Sequence, residues 1–187
     1  QLSGTIPAEL GNLTILEHLL LNENSTITGS IPPELGNLSN LRLLYLGGND
    51  MSGLVPNELW QLTNLTQLVL SGNNFSGTIS EEIGNLVDLN VFRIGNNNFS
   101  GELPIILWSL YDLGTLSVSN NNFTGSLPPN VGSLKRLFFF DLYDNNFGGT
   151  LPPELGEMEL VQRIQLQNNI FSGELPSEIA NLENLDY

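Results

Sequence analysis

Apolar residues recur along this chain at fixed positions within a repeating unit. One unit reads Leu65-x-x-Leu68-x-Leu70-x-x-Asn73, and the same order returns along the whole chain. Its central part alternates apolar and variable residues, which is the period of a strand with one buried face. One such strand cannot bury its apolar side alone, but stacked copies can. The pattern therefore predicts a solenoid of parallel strands about 4.7–4.9 Å apart.

An asparagine closes each strand motif and defines the register of the repeats. Seven asparagines hold this position, separated by one step of 25 residues and then five steps of 24. We expect their amides to satisfy exposed backbone groups where the chain turns away from each strand. The predicted structural ladder consists of Asn24, Asn49, Asn73, Asn97, Asn121, Asn145 and Asn169.

The second half of each unit carries helix signals. Segments such as IPPELGNL (31–38) and LPPELGEM (151–158) place proline and then an acid before Leu-Gly. Proline suits the first turn of a helix, an acid there complements the helix dipole, and glycine suits the end. We therefore predict one short helix or 3₁₀ turn per repeat on the outer side. A second glycine in each unit, such as Gly77 or Gly101, marks another tight point before the Ile or Leu that precedes this segment.

The complete unit, L-x-x-L-x-L-x-x-N-x-F/L-S-G-x-I/L-P-x-x-L/I-G-x-L, resembles the plant-type leucine-rich repeat over essentially the whole chain. The resemblance implies an α/β repeat solenoid with a parallel strand ladder on the concave face and short helical or 3₁₀ turns on the convex side. It also implies the extracellular part of a receptor-like kinase or receptor-like protein, or a smaller secreted relative such as a polygalacturonase inhibitor.

The ends of the chain bear on its organisation. Relatives in this family usually carry paired cysteines in terminal caps, and this chain has no cysteine. Residues 1–187 begin and end within a repeat. We expect a single solenoid domain of about seven repeats that forms an interior piece of a longer chain.

The charge balance excludes some partners. Lys and Arg total 5 against 20 Asp and Glu, which gives a net charge of −15. This charge opposes binding to nucleic acid or to an anionic lipid surface, and it favours basic partners through electrostatic steering. No stretch of 18 apolar residues is present, so we do not expect this segment to insert into a membrane.

N-x-S/T acceptor motifs for N-linked glycans are dense in the sequence. Three of them directly follow a ladder asparagine, and a residue beside an inward side chain should point to solvent. Asn24 also lies in such a motif, but as a ladder residue it is expected to stay unmodified. The expected glycosylation sites are Asn12, Asn37, Asn64, Asn74, Asn98 and Asn122.

Chemistry-bearing residues are scarce. With one histidine and no cysteine, we expect neither a metal centre nor a cofactor, and His18 should be exposed. One column of acids could pair as in glycosidases, but acids in the first turn of a helix on a convex ridge explain it better, because such a ridge has no pocket. This column consists of Glu9, Glu34, Glu58, Glu82, Glu154 and Glu178.

The variable strand positions should form the surface on which a partner binds. Near the C-terminal end they become aromatic and charged, as interface anchors are. The strand with Thr115, Ser117 and Ser119 should instead be polar and offer little area. The expected partner-binding residues are Tyr45, Arg93, Phe139, Asp141, Tyr143, Asp144 and Arg163.

Three functions fit these features. The first is an extracellular recognition module that binds a peptide, a glycan or a protein on its concave or lateral face. The second is a glycosylated structural solenoid that assembles end to end, and the third is a secreted inhibitor of a wall-degrading enzyme. An enzymatic role is disfavoured, since no pocket and no nucleophile motif is expected.

Overall fold

The computed structural model describes residues 2–186. Seven three-residue strands form one parallel sheet, here called the concave sheet, in which each strand pairs with its counterpart in the next repeat. Its strands are β2 (His18–Leu20), β4 (Leu43–Tyr45), β6 (Gln67–Val69), β8 (Val91–Arg93), β10 (Thr115–Ser117), β12 (Phe139–Asp141) and β14 (Arg163–Gln165). The predicted repeat solenoid with a parallel strand ladder is confirmed.

A second set of strands runs through the N-F-S-G segments. These segments were predicted only as tight points, but they pair in parallel with one another. Six strands form one sheet and two more form a pair, and a bridge between Ser126 and Gly148 links the two. The strands are β1 (Gly4–Thr5), β3 (Ile27–Gly29), β5 (Asp50–Gly53), β7 (Asn74–Gly77), β9 (Asn98–Glu102), β11 (Asn122–Thr124), β13 (Gly148–Thr150) and β15 (Ile170–Ser172).

The phenylalanine of each N-F-S-G segment builds the core beneath this second sheet. Five rings stack from repeat to repeat with centroids 6.1–6.4 Å apart and interplanar angles of 6–24°. Offset stacking at this separation is favourable beyond simple burial. The column joins neighbouring repeats and consists of Phe75, Phe99, Phe123, Phe147 and Phe171.

The outer turns are 3₁₀ helices of five residues each. The glycine of each Leu-Gly pair was predicted to end a helix. That interpretation is wrong, because the glycine is needed where the turn contacts the next repeat. A Cβ on Gly11 would lie 2.2 Å from the backbone oxygen of Glu34, and one on Gly156 would lie 2.2 Å from that of Glu178. The turns are Ala8–Asn12, Pro33–Asn37, Asn57–Gln61, Glu81–Asn85, Ile105–Ser109, Pro129–Ser133, Pro153–Glu157 and Ser177–Asn181.

The asparagine ladder links each repeat to the one before it. Asn121 Oδ1 accepts a hydrogen bond from the backbone N–H of Phe99 at 2.9 Å, and its Nδ2 donates to the carbonyls of Ile94 and Val118 at 3.1 and 3.0 Å. Asn97 and the later ladder residues repeat this arrangement. Each side chain thus satisfies backbone groups of two repeats.

The 25-residue repeat disturbs the ladder at one position. Glu23 has the positive φ that every residue directly before a ladder asparagine adopts, but Ser25 adds a second positive φ of 60° beside the inserted residue. In the next repeat, Asn49 Nδ2 donates to the Leu21 carbonyl at 3.0 Å, but among the described residues its buried Oδ1 has no partner. The insertion therefore costs the ladder one hydrogen bond.

Candidate functional site

Two of the predicted partner residues meet in a cleft on the concave sheet. Tyr45, Val69 and Arg93 occupy the same position on three neighbouring strands, since Tyr45 pairs with Val69 and Val69 with Arg93. Their side chains project from the strands on the same side because they share one register. The cleft has a volume of about 300 Å³, and its walls include Glu23, Tyr45, Gln67, Val69, Val91 and Arg93.

Arg93 carries a charge that no neighbour neutralises. It is exposed, and within residues 2–186 no carboxylate lies within 4.0 Å of its guanidinium. Gln67 lies on the strand between those of Tyr45 and Arg93, and it accepts a hydrogen bond from the Tyr45 hydroxyl. The cleft therefore offers a fixed aromatic ring and an available guanidinium, which together suit a ligand with an apolar part and an acidic group.

The C-terminal patch of Phe139, Asp141 and Arg163 is a preassembled cluster. Arg163 donates from Nε to Asp141 Oδ1 at 3.1 Å and from Nη2 to Asp141 Oδ2 at 2.9 Å. Its guanidinium carbon also lies 4.8 Å from the centre of the Phe139 ring. The hydrogen bond to Asp141 raises the pKa of Arg163 above its ordinary value, against a lowering by burial. These contacts hold the arginine in one orientation, with 41% of its side chain exposed.

Two expectations about the concave surface are wrong. Asp141 was placed among the exposed anchors, yet it is only 6% exposed, because Arg163 lies across its carboxylate. The strand expected to be a polar surface is largely buried as well, with Thr115 7% and Ser119 3% exposed. Thr115 is flanked at the same register by the larger Val91. Short side chains between larger neighbours are shielded from solvent even on an outward-facing position.

Tyr143 and Asp144 extend the C-terminal patch beyond the strand. Both are half-buried, and Asp144 adopts a positive φ of 54°. Its carboxylate accepts a hydrogen bond from Asn168 Nδ2 at 2.6 Å. Tyr143 thus adds a second aromatic ring to the patch, near the end of the strand motif. The Asp144 carboxylate is already engaged by Asn168 and is less available to a partner.

The cleft and the C-terminal patch share one face. Arg93 lies on β8 and Arg163 on β14, with β10 and β12 between them. Three strand steps correspond to about 15 Å at the usual spacing. A single extended ligand of about five residues could reach both.

The predicted glycan acceptors are all exposed. Two of them already use their amide: Asn74 Nδ2 donates to Asp50 at 2.6 Å, and Asn64 Nδ2 donates to the Ser39 carbonyl at 2.8 Å. Among the described residues, the side chains of the other four acceptors make no hydrogen bond: Asn12, Asn37, Asn98 and Asn122. These four acceptors therefore present the least encumbered amides.

The remaining candidates lie elsewhere on the surface, where His18 lines one depression and Glu154 and Glu178 line another. His18 is exposed on β2, and most members of the glutamate column are exposed on the 3₁₀ turns. Within residues 2–186, no three His, Cys, Asp or Glu side chains are grouped so that they could hold a metal ion. In the same part of the chain, no helix has the length and apolar character needed to cross a membrane.

Sequence reasoning named Tyr45 and Arg93 but did not join them into a cleft. The repeat register could have shown that they lie close together, because both residues hold the same motif position two repeats apart. The contributions of Gln67 and Glu23 were missed. Glu23 holds the position directly before a ladder asparagine, where the next two repeats have Gly48 and Gly72, so it brings a long side chain to the cleft that its neighbours lack.

Family models of the leucine-rich repeat match most of the chain. One matches residues 14–75, and a second matches 112–134, 136–158 and 161–182. A comparison of this chain with curated proteins found no match.

Solved structures give strong matches. The plant peptide hormone receptor RGFR1, in complex with RGF2, is 37% identical with a TM-score of 0.96, over 99% of this chain and 30% of the receptor chain. The ectodomain of GASSHO1/SCHENGEN3 from Arabidopsis thaliana, in complex with CASPARIAN STRIP INTEGRITY FACTOR 2, is 32% identical with a TM-score of 0.91, over 100% and 25%. A leucine-rich repeat protein of Leptospira interrogans is 35% identical with a TM-score of 0.83, over 97% and 44%. This chain thus spans about a quarter to under half of each matched chain.

Proposed function

The chain belongs to the leucine-rich repeat family, and we propose that it is an extracellular binding module that holds a peptide or a protein segment against its concave sheet. The observation that carries this proposal is the cleft in which Arg93, exposed and unpaired among the described residues, lies in register with Tyr45. Aromatic residues and arginine are the side chains that most often anchor interfaces.

Charge defines the ligand further. The net charge of −15 favours a ligand that is basic overall, since the field of the chain attracts cations. Arg93 requires an acidic group at one point of that ligand, because a charged hydrogen bond to a carboxylate or a similar anion is among the strongest that proteins make. We therefore propose a mixed-charge peptide, with one acid at Arg93 and an apolar side chain against Tyr45 and Val69.

The structural matches support a peptide as the ligand class. RGFR1 is described in complex with RGF2, and the receptor kinase HAESA in complex with the peptide hormone IDA and the co-receptor SERK1. Both matches cover at least 98% of this chain. The exposed acceptors Asn98 and Asn122 add support for an extracellular, glycosylated module.

The test is a peptide selection followed by matched variants. Peptides selected from a random displayed library against the wild-type chain should lose at least about tenfold in affinity on Arg93→Ala, and further on Tyr45→Ala, if both are anchors. Arg42→Ala is the control, because it removes the same charge from an exposed residue that precedes a concave strand rather than lying within it. Equal losses for Arg42→Ala and Arg93→Ala would refute the assignment of the cleft.

The two other functions make different predictions. End-to-end assembly predicts a mass that rises with protein concentration in light scattering. An inhibitor predicts loss of activity when the chain is mixed with a wall-degrading enzyme such as polygalacturonase. Neither outcome depends on Arg93.

A further inference from the structure

One outer turn differs from its neighbours in chemistry. In most repeats its first two residues are polar or contain an acid, whereas Ile105–Ser109 begins with two isoleucines. Ile105 is 54% exposed and Ile106 is 37% exposed. The glutamate column is interrupted here, so apolar surface appears in the middle of an acidic side of the molecule.

A tryptophan in the same turn widens the space between repeats. Trp108 holds the position that glycine occupies in turns such as Pro33–Asn37, where neighbouring backbones nearly touch. Its ring is 2% exposed and meets Phe140 edge-on with centroids 6.3 Å apart. A large side chain cannot share the close approach that glycine allows, so the neighbouring turn is displaced and a cleft opens.

This convex cleft spans three repeats. Its volume is about 390 Å³, within the usual range of about 300–1,000 Å³ for ligand sites. Two acids, Glu81 and Glu102, lie along it, and both are exposed without a basic partner among residues 2–186. The apolar lining consists of Ile79, Leu103, Pro104, Ile105, Trp108 and Pro128.

We propose that the convex cleft is a second docking site, for a protein segment whose aliphatic side chains are flanked by Lys or Arg. The apolar lining requires an aliphatic occupant, and the acids along it require a basic flank, because like charges would repel. A second copy of this chain fits poorly, since each copy carries a net charge of −15. The site lies where the outer turns meet the segments that follow the second sheet, and it is separate from the concave sheet, so a ligand could occupy each.

The test uses Trp108 as its own reporter. The chain has two tryptophans, so Trp60→Phe leaves Trp108 as the only one. The probe is the heptapeptide Lys-Arg-Leu-Ile-Leu-Arg-Lys with blocked ends. We expect a saturable change in tryptophan emission and at least tenfold weaker binding when Glu replaces its four basic residues. Calorimetry on the wild-type chain makes the same comparison if the Trp60→Phe variant is unfolded.

Matched variants locate the site. Ile105→Glu should weaken the probe at least tenfold, whereas Val87→Glu, at a residue that is 62% exposed elsewhere, should leave it unchanged. Absence of saturable binding would overturn the proposal, as would equal effects of the two variants or equal binding of the acidic peptide. Self-association that Ile105→Glu abolishes would assign the cleft to a second copy and would overturn it as well.

Discussion

The asparagine ladder makes the sharpest prediction about stability, and Asn121 is its best test position. Its side chain is 9% exposed and bonds backbone groups in two repeats. The carbonyls of Ile94 and Val118 each keep a second donor, from Asn97 and Asn145, when Asn121 is truncated. The Phe99 N–H instead loses the acceptor that Asn121 Oδ1 provides.

The cost of Asn121→Ala follows from that difference. A buried N–H left without an acceptor costs about 1–3 kcal/mol, so we expect the free energy of unfolding to fall by this amount. Asn122→Ala is the matched control, because that side chain is exposed and makes no hydrogen bond among the described residues. A change at such a surface position typically stays within about 0.5 kcal/mol.

The assay is urea unfolding of the unglycosylated protein, followed by circular dichroism. The midpoint should shift for Asn121→Ala at an unchanged slope, since the slope reports the surface exposed on unfolding. Equal midpoints for the two variants would refute the assigned register, in which the first asparagine of each pair faces inward and the second faces solvent.

Three further predictions test other contacts. Arg163→Ala should destabilise the fold by about 1–3 kcal/mol in denaturant unfolding, because the buried Asp141 carboxylate loses its partner; no measurable loss would show that the pair contributes nothing. Gly36→Ala should lower the melting temperature clearly more than Gly114→Ala, because its Cβ would lie 2.6 Å from the Glu58 backbone oxygen, whereas that of Gly114 meets only a side-chain amide at 3.0 Å. In material secreted by eukaryotic cells, mass spectrometry after enzymatic deglycosylation should find aspartate at Asn74, Asn98 and Asn122. Unmodified peptides at all three sites would contradict an exposed glycan column.

Repetition made most of the fold predictable. A fixed period requires equivalent residues to stack, so the alternation around Leu68 and Leu70 was enough to predict the concave sheet and its order. The ladder position of Asn73 followed from the same register. The outer turns were also predicted, although the reason for their glycines lies in the neighbouring repeat and not in the turn itself.

Features that depend on contacts between repeats were not predictable. The N-F-S-G segment has little alternation, so its pairing into a second sheet left no periodic signal. The burial of Asp141 depends on where Arg163 lies one repeat later. The convex cleft depends on the size of Trp108 against a neighbouring turn. In each case the contact that determines the feature joins residues more than 20 positions apart. The repeat consensus does not show which side chains meet in such a contact.

Binding of a ligand in the concave cleft can be tested directly by hydroxyl-radical footprinting. The measurement compares oxidation of Tyr45 and Tyr111 in the wild-type chain with and without a selected peptide. Tyr45 lines the cleft, whereas Tyr111 is 61% exposed in the turn before β10. We predict that the peptide protects Tyr45 and leaves Tyr111 unchanged. A bound peptide that leaves Tyr45 as reactive as before would show that the ligand binds elsewhere.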